Sequence, residues 1–119
     1  MSDQHAVCTR FAAALELIGG RWSGAILNAL FSDQHRFADI RAAIPAMSDT
    51  MLVQRLRELA AAGLIERRVI PSTPVRVEYY LTDKGRELEP VIRELVAWAH
   101  KWIALPEGGG PDLHGDVAI

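Results

Sequence analysis

Apolar residues recur along the chain at intervals that define a run of short helices, one hairpin and a long last helix. Over residues 6–18, Phe11, Ala14, Leu15, Leu17 and Ile18 fall at helical spacing, and Gly19 and Gly20 end the helix. A second apolar helix covers about residues 22–30. A polar turn then leads to His35 and a short segment at Arg36 and Phe37. Phe37, Ile40, Arg41 and Ile44 form a third, short helix that has to end before Pro45, because proline disfavours helical geometry in the residue preceding it.

The fourth helix is bounded by chemistry at both ends. Ser48 is a good N-cap, and Asp49 places a negative charge where the helix dipole favours it. Leu52, Leu56, Leu59 and Ala60 share one stripe, Gln54, Arg55, Arg57 and Glu58 lie largely outside it, and Gly63 supplies a left-handed stop. Two β-like runs follow, residues 65–70 and 77–81. Pro71, Ser72, Thr73 and Pro74 lie between them, which predicts a hairpin with a semi-rigid tip. Thr82 is placed to cap a last helix in which Leu88, Val91, Ile92, Leu95, Trp98, Ala99 and Trp102 repeat at three and four, with Val96 and Ile103 widening the stripe. Pro90 falls inside that pattern and predicts a kink or a restart. Residues 106–119 are rich in breakers and have no period, so the expected organisation is one domain over residues 6–105 and a flexible tail.

Composition narrows the class. At 119 residues, half of them hydrophobic and 24% charged, the chain is long enough to bury a core and too apolar to be disordered throughout. No apolar run approaches the roughly 20 residues of a membrane span, and residues 1–8 lack the features of a signal peptide, so a cytoplasmic protein without membrane contact is expected. A single cysteine excludes an intrachain disulfide. The net charge of −2 does not by itself invite nucleic acid, but it is unevenly spread. Residues 36–76 carry seven arginines against Asp39, Asp49, Glu58 and Glu66, a net +3, whereas residues 77–119 are net −4. Arginine presents a rigid donor fork suited to phosphate and guanine.

The element order is helix, helix, short helix, capped helix, hairpin, long helix. The expected fold is therefore mainly α with a β-hairpin: a winged helix-turn-helix whose N- and C-terminal helices form a dimer interface. An α-helix fits the major groove of B-DNA, where arginine pairs with guanine and glutamine with adenine. If the apolar stripe of residues 48–62 packs inward, its first turn and outer side remain free to face a partner.

Cys8, LELIGGRW (residues 15–22), AILNAL (25–30), RFADIRAAIPAMSDTMLVQRLRELAAAGLIER (36–67), PVRVEYYLTDKGRELEPVI (74–92) and Trp98 stand in an order that resembles the HxlR family of winged-helix transcriptional regulators, related in architecture to the MarR group. The likeness extends over about four fifths of the chain. It implies a homodimer that binds double-stranded DNA at a palindromic operator, usually as a repressor. By position, Ser48, Thr50, Met51, Gln54 and Arg55 are the implied groove contacts, and Arg68, Pro74, Val75 and Arg76 the implied wing contacts. The implied dimer surface includes Phe11, Leu15, Val91, Leu95, Trp98 and Trp102, in keeping with an apolar stripe too broad for one small core.

Other chemistry is sparse. Cys8 is the candidate redox sensor, since relatives with a cysteine here respond to electrophiles or oxidants; the alternative is a small buried hydrophobe. Trp22, Trp98 and Trp102 are candidates for an effector pocket or for core and interface packing. His5, His35, His100 and His114 have no ligand partners at metal spacing, and no nucleophile stands beside a base, so neither a metal, a cofactor nor an enzyme is expected. Arg57 is expected to pair with Glu58 or Glu66 and ranks below Arg55 as a DNA contact. The competing function, a winged helix serving as a protein-interaction or dimerisation module, requires an uncharged fourth helix and wing, which Arg55, Arg68 and Arg76 contradict.

Overall fold

The computed structural model describes residues 8–20 and 22–105. The expectations for residues 6, 7 and 106–119, and the arginine of the GGRW segment, lie outside the described residues. Among the described residues, six helices and a two-stranded antiparallel sheet follow in the order α1 (Thr9–Gly19), α2 (Ser23–Phe31), α3 (Phe37–Ala43), α4 (Asp49–Ala61), β1 (Ile65–Ile70), β2 (Arg76–Leu81), α5 (Asp83–Arg86) and α6 (Glu89–Trp102).

The centre of the molecule is α2, which buries Ile26, Leu27, Ala29 and Leu30. Around it close Ile40 of α3, Met47 of the turn, Leu52, Leu56 and Leu59 of α4, and Leu64 at the entry to the hairpin, all within 2% of full burial. α1 buries nothing completely; Leu17 and Ile18 at its C-terminal end pack against this core.

Local chemistry sets the boundaries of the helix-turn-helix. Ile44, before Pro45, leaves the helical region (φ −131°, ψ 74°) and ends α3 as the proline rule requires. The Ser48 hydroxyl accepts a hydrogen bond from the Met51 amide at 3.1 Å, and Arg41 Nε donates to Asp49 Oδ1 at 2.6 Å, tying α3 to the first turn of α4. At the far end Gly63 adopts φ +81°, a left-handed conformation disfavoured for any residue with a Cβ.

The hairpin pairs Ile65 with Leu81, Arg67 with Tyr79 and Val69 with Val77. Its tip includes a cis Thr73–Pro74 bond and is closed by the Ser72 hydroxyl, which donates to the Pro74 carbonyl at 2.6 Å. An isolated bridge between Arg36 and Glu78, with the Tyr79 amide donating to the His35 carbonyl at 2.8 Å, fastens the segment before α3 to β2. The hairpin is thus hydrogen-bonded to the helix-turn-helix, beyond resting on it.

The last helix differs from the sequence expectation in one respect. Thr82 caps only a single turn, α5, through the Gly85 amide at 3.1 Å, and α6 starts afresh at Glu89 with Pro90 in its first turn. A proline in the first turn removes an N–H that would lack a helical partner anyway, so the break is a restart and not a kink. The α5 turn is clamped to the end of α4: the Thr82 hydroxyl donates to the Gly63 carbonyl at 2.6 Å and Lys84 Nζ to the Ala62 carbonyl at 2.7 Å. Among the described residues no helix is long and apolar enough to cross a membrane.

Candidate nucleic-acid interface

α4 buries Leu52, Leu56 and Leu59, so the opposite face is free. With 3.6 residues per turn, Thr50, Gln54, Arg57 and Ala61 follow one another along that face, and all four are exposed. Ser48, at the cap, opens the same end. Met51 is half-buried and packs against the core, so only part of its side chain reaches outward.

The two arginines of α4 stand differently from the sequence expectation. Arg55 lies on the flank facing the α1–α2 turn, in a hollow lined by Glu16, Gly20, Ser23 and Glu58; its side chain is 25% exposed and its Nη1 is 3.2 Å from Glu58 Oε1. Arg57, expected to pair with Glu58 or Glu66, has no ion pair among the described residues, because Arg55 holds Glu58 and Arg68 holds Glu66. Arg57, on the open face, also borders the hollow between α4 and the hairpin. Its spacing from Thr50 (i+7) and Gln54 (i+3) was the signal available in the sequence.

On the outer face of the hairpin the side chains form a layered stack. The His35 ring lies on Tyr80 with centroids 4.2 Å apart and planes at 21°, and the Arg68 guanidinium sits 4.1 Å from the centroid of the same tyrosine. His35 Nδ1 donates to the Tyr79 carbonyl at 3.0 Å, which orients the ring. The Tyr80 hydroxyl donates to Glu78 Oε1 at 2.5 Å, and Glu78 Oε2 lies 3.5 Å from Arg76 Nη2. Glu78 is only 8% exposed, so a buried carboxylate anchors both the phenol and the wing arginine. The phenol is held above its ordinary value, first by the hydrogen bond to Glu78, then by desolvation and the Glu78 charge, against the opposing pull of Arg68 and Arg76. Neither His35, Glu78 nor Tyr80 was among the sequence-derived contacts: their roles depend on a strand register that alternation alone does not determine. Pro74 and Val75 occupy the exposed tip as expected.

The proposed dimer surface and sensor are also open to solvent. Phe11 and Leu15 on α1, and Val91, Leu95, Trp98 and Trp102 on α6, are each at least 49% exposed. Trp22, by contrast, packs against the core. Cys8, immediately before α1, is a free thiol that is exposed in the single chain.

Residues 17–107 match the family model described as HxlR-like helix-turn-helix. The HTH-type transcriptional regulator YvaP of Bacillus subtilis (strain 168) is 44% identical over 101 residues, 85% of this chain and 94% of the relative. The reduced form of the transcriptional regulator YodB from B. subtilis superposes with a TM-score of 0.72 at 40% identity, covering 88% of this chain and all of that one. The redox regulator HypR in its oxidized form gives 0.76 at 33% identity, covering 81% and 99% of the two chains.

Proposed function

Because this chain belongs to the HxlR-like helix-turn-helix family of transcriptional regulators, we propose that it acts in the cytoplasm as a homodimeric repressor reading a palindromic operator. The observation that carries this reading is the open face of α4, where Thr50, Gln54 and Arg57 are exposed beside an arginine-bearing hairpin. Ser48, Thr50, Met51 and Gln54 are assigned to the major groove, with Arg57 added by its position; Arg55, which pairs with Glu58 on the flank, is assigned to the edge of the same contact. Arg68 and Arg76 meet phosphate or the minor groove, with Pro74 and Val75 at the tip of the wing.

Phe11 and Leu15 of α1, together with Val91, Leu95, Trp98 and Trp102 of α6, form the interface between protomers. Large apolar side chains at successive helical positions are removed from water when a second copy covers them, at roughly 25 cal/mol for each Å² buried. The dimer then sets two α4 helices roughly 34–36 Å apart, one turn of B-DNA. Hydroxyl-radical footprinting of the DNA upstream of the gene tests this arrangement. Two protected half-sites one helical turn apart are expected; a single half-site contradicts the dimeric reading.

Regulation is assigned to Cys8. YodB has been solved in diamide-treated and quinone-bound forms, and in this chain the thiol is exposed at the start of a helix belonging to the proposed dimer surface. Modification there alters the packing of α1 on its partner and so the spacing of the reading helices. Cys8→Ser is expected to retain DNA under diamide or quinone while the wild type releases it. Full release by the variant eliminates the sensor role.

A further inference from the structure

The geometry points to Tyr80 and Glu78 as positioning residues of the wing: neither touches DNA, and each holds one wing arginine in the orientation in which it meets phosphate. Tyr80 seats Arg68, and Glu78 seats Arg76. The inference rests on the proposed DNA contacts of Arg68 and Arg76 and adds to them the side chains that set those contacts.

Hairpin register brings these groups together. Glu66 pairs with Tyr80 and Arg68 with Glu78, so strand alternation collects Glu66, Arg68, Arg76, Glu78 and Tyr80 on the outer face, while Arg67 turns to the inner face with Tyr79. The Tyr80 ring is held independently of Arg68. Its hydroxyl donates to Glu78 Oε1, and it stacks on His35, whose ring is itself bonded to the Tyr79 carbonyl. The Arg68 guanidinium rests on this fixed plane, 4.1 Å from the centroid. Behind Arg76 stands the Glu78 carboxylate, 3.5 Å from Nη2, on a strand position secured by the bridge to Arg36. The Glu78 side chain is 11% exposed, whereas those of Arg68 and Arg76 are 47% and 41% exposed, so the arginines keep donors open to a phosphate. Glu66, the other neighbour of Arg68 at 3.4 Å, is an exposed partner of the kind that contributes little in water.

Positioning and charge alone lead to opposite expectations. Removing the Glu78 charge makes the wing more cationic, which by electrostatics tightens DNA binding. Replacing Tyr80 changes no charge and by electrostatics leaves binding as it was. Positioning requires both changes to weaken binding, because an arginine released from its seat loses more rotamer freedom when it is ordered on a phosphate.

The full chain is titrated by anisotropy with the upstream intergenic duplex. Tyr80→Leu and Glu78→Gln are each expected to weaken binding by about threefold or more. Tyr80→Phe, which keeps the ring, is expected to stay within about twofold of wild type. In double-mutant cycles Tyr80→Leu adds little to Arg68→Gln, and Glu78→Gln adds little to Arg76→Gln, because each acts through its arginine; a general loosening of the fold adds in full. Without DNA, the Arg68 Nε–H resonance is expected to show the ring-current shift of Tyr80 in wild type and Tyr80→Phe and to lose it in Tyr80→Leu. Glu78→Gln, near-isosteric and still able to accept from Tyr80, carries the test if Tyr80→Leu does not fold. A wild type that does not bind, or Arg68→Gln and Arg76→Gln variants that bind as wild type does, removes the DNA reading and this proposal with it. With those contacts intact, unchanged binding by Tyr80→Leu, unchanged or tighter binding by Glu78→Gln, or additive cycles overturn the positioning role alone.

Discussion

At the scale of single residues, partners decide what an arginine is free to do. Arg55 and Arg57 are two positions apart on one helix, yet Arg55 is held by Glu58 on a flank and Arg57 projects from the open face. Arg57→Gln is expected to lower operator affinity by about tenfold, the scale of one charge-assisted hydrogen bond, as read by fluorescence anisotropy. The preference for Arg55 came from weighing neighbouring acids along the sequence. The pairing of Arg55 with Glu58 is an i,i+3 contact within α4, a spacing as legible in the sequence as the Arg57–Glu58 neighbourhood that was preferred to it. Tyr80 carries a second expectation. Because its phenol is held above the ordinary tyrosine value of about 10, the folded chain keeps this proton more tightly than the unfolded chain. The stability it contributes is complete below about pH 10 and is lost as the pH rises through the folded value. In a Tyr79→Phe background, where Tyr80 is the remaining tyrosine, alkaline absorbance is expected to show a midpoint above that of free tyrosine, moving down on Glu78→Gln. A midpoint at or below free tyrosine contradicts the Glu78 anchor.

At the scale of elements, the segments with explicit stop and start chemistry were legible and those set by long-range packing were not. Ser48, Gly63 and Pro45 marked α3 and α4 nearly to the residue, because capping and backbone sterics are local. Ser48→Ala is accordingly expected to cost about 1 kcal/mol in chemical denaturation. Gly85 illustrates the other case. Nothing in the sequence singles it out, yet a Cβ there would lie 2.1 Å from the Leu64 carbonyl oxygen, because α5 is clamped onto the end of α4 by Thr82 and Lys84. Gly85→Ala is expected to destabilise the fold by about 3 kcal/mol or more; a change within about 0.5 kcal/mol contradicts the clamp. The same clamp explains why Thr82 caps one turn only, with Pro90 restarting the chain as α6. The inward turn of Arg67 likewise follows from hairpin register.

At the scale of the whole molecule, charge and apolar surface are segregated by task. The arginines of residues 36–76 cluster on the helix-turn-helix and hairpin, while Asp83, Glu87, Glu89 and Glu94 fall on α5, α6 and the turn between them. The net charge of −2 thus conceals a cationic side, the one proposed to read DNA. Opposite requirements meet on α6: Ile92 is buried in the core, whereas Val91, Leu95, Trp98 and Trp102 form an uncovered stripe. Trp98→Asp is expected to give a folded monomer by sedimentation equilibrium, with operator affinity reduced because two half-sites are no longer linked; an intact dimer would place the interface elsewhere. The reading of DNA by this cationic side is tested by anisotropy titration of the upstream intergenic duplex across a salt series. The expected result is tight binding at low salt, with log K falling linearly in log salt. Arg68→Gln and Arg76→Gln, each removing one cation from the phosphate backbone in each protomer, are expected to make that slope shallower by about 0.9 per phosphate. No binding at low salt, or variants at Arg57, Arg68 and Arg76 that leave affinity and slope unchanged, would contradict it.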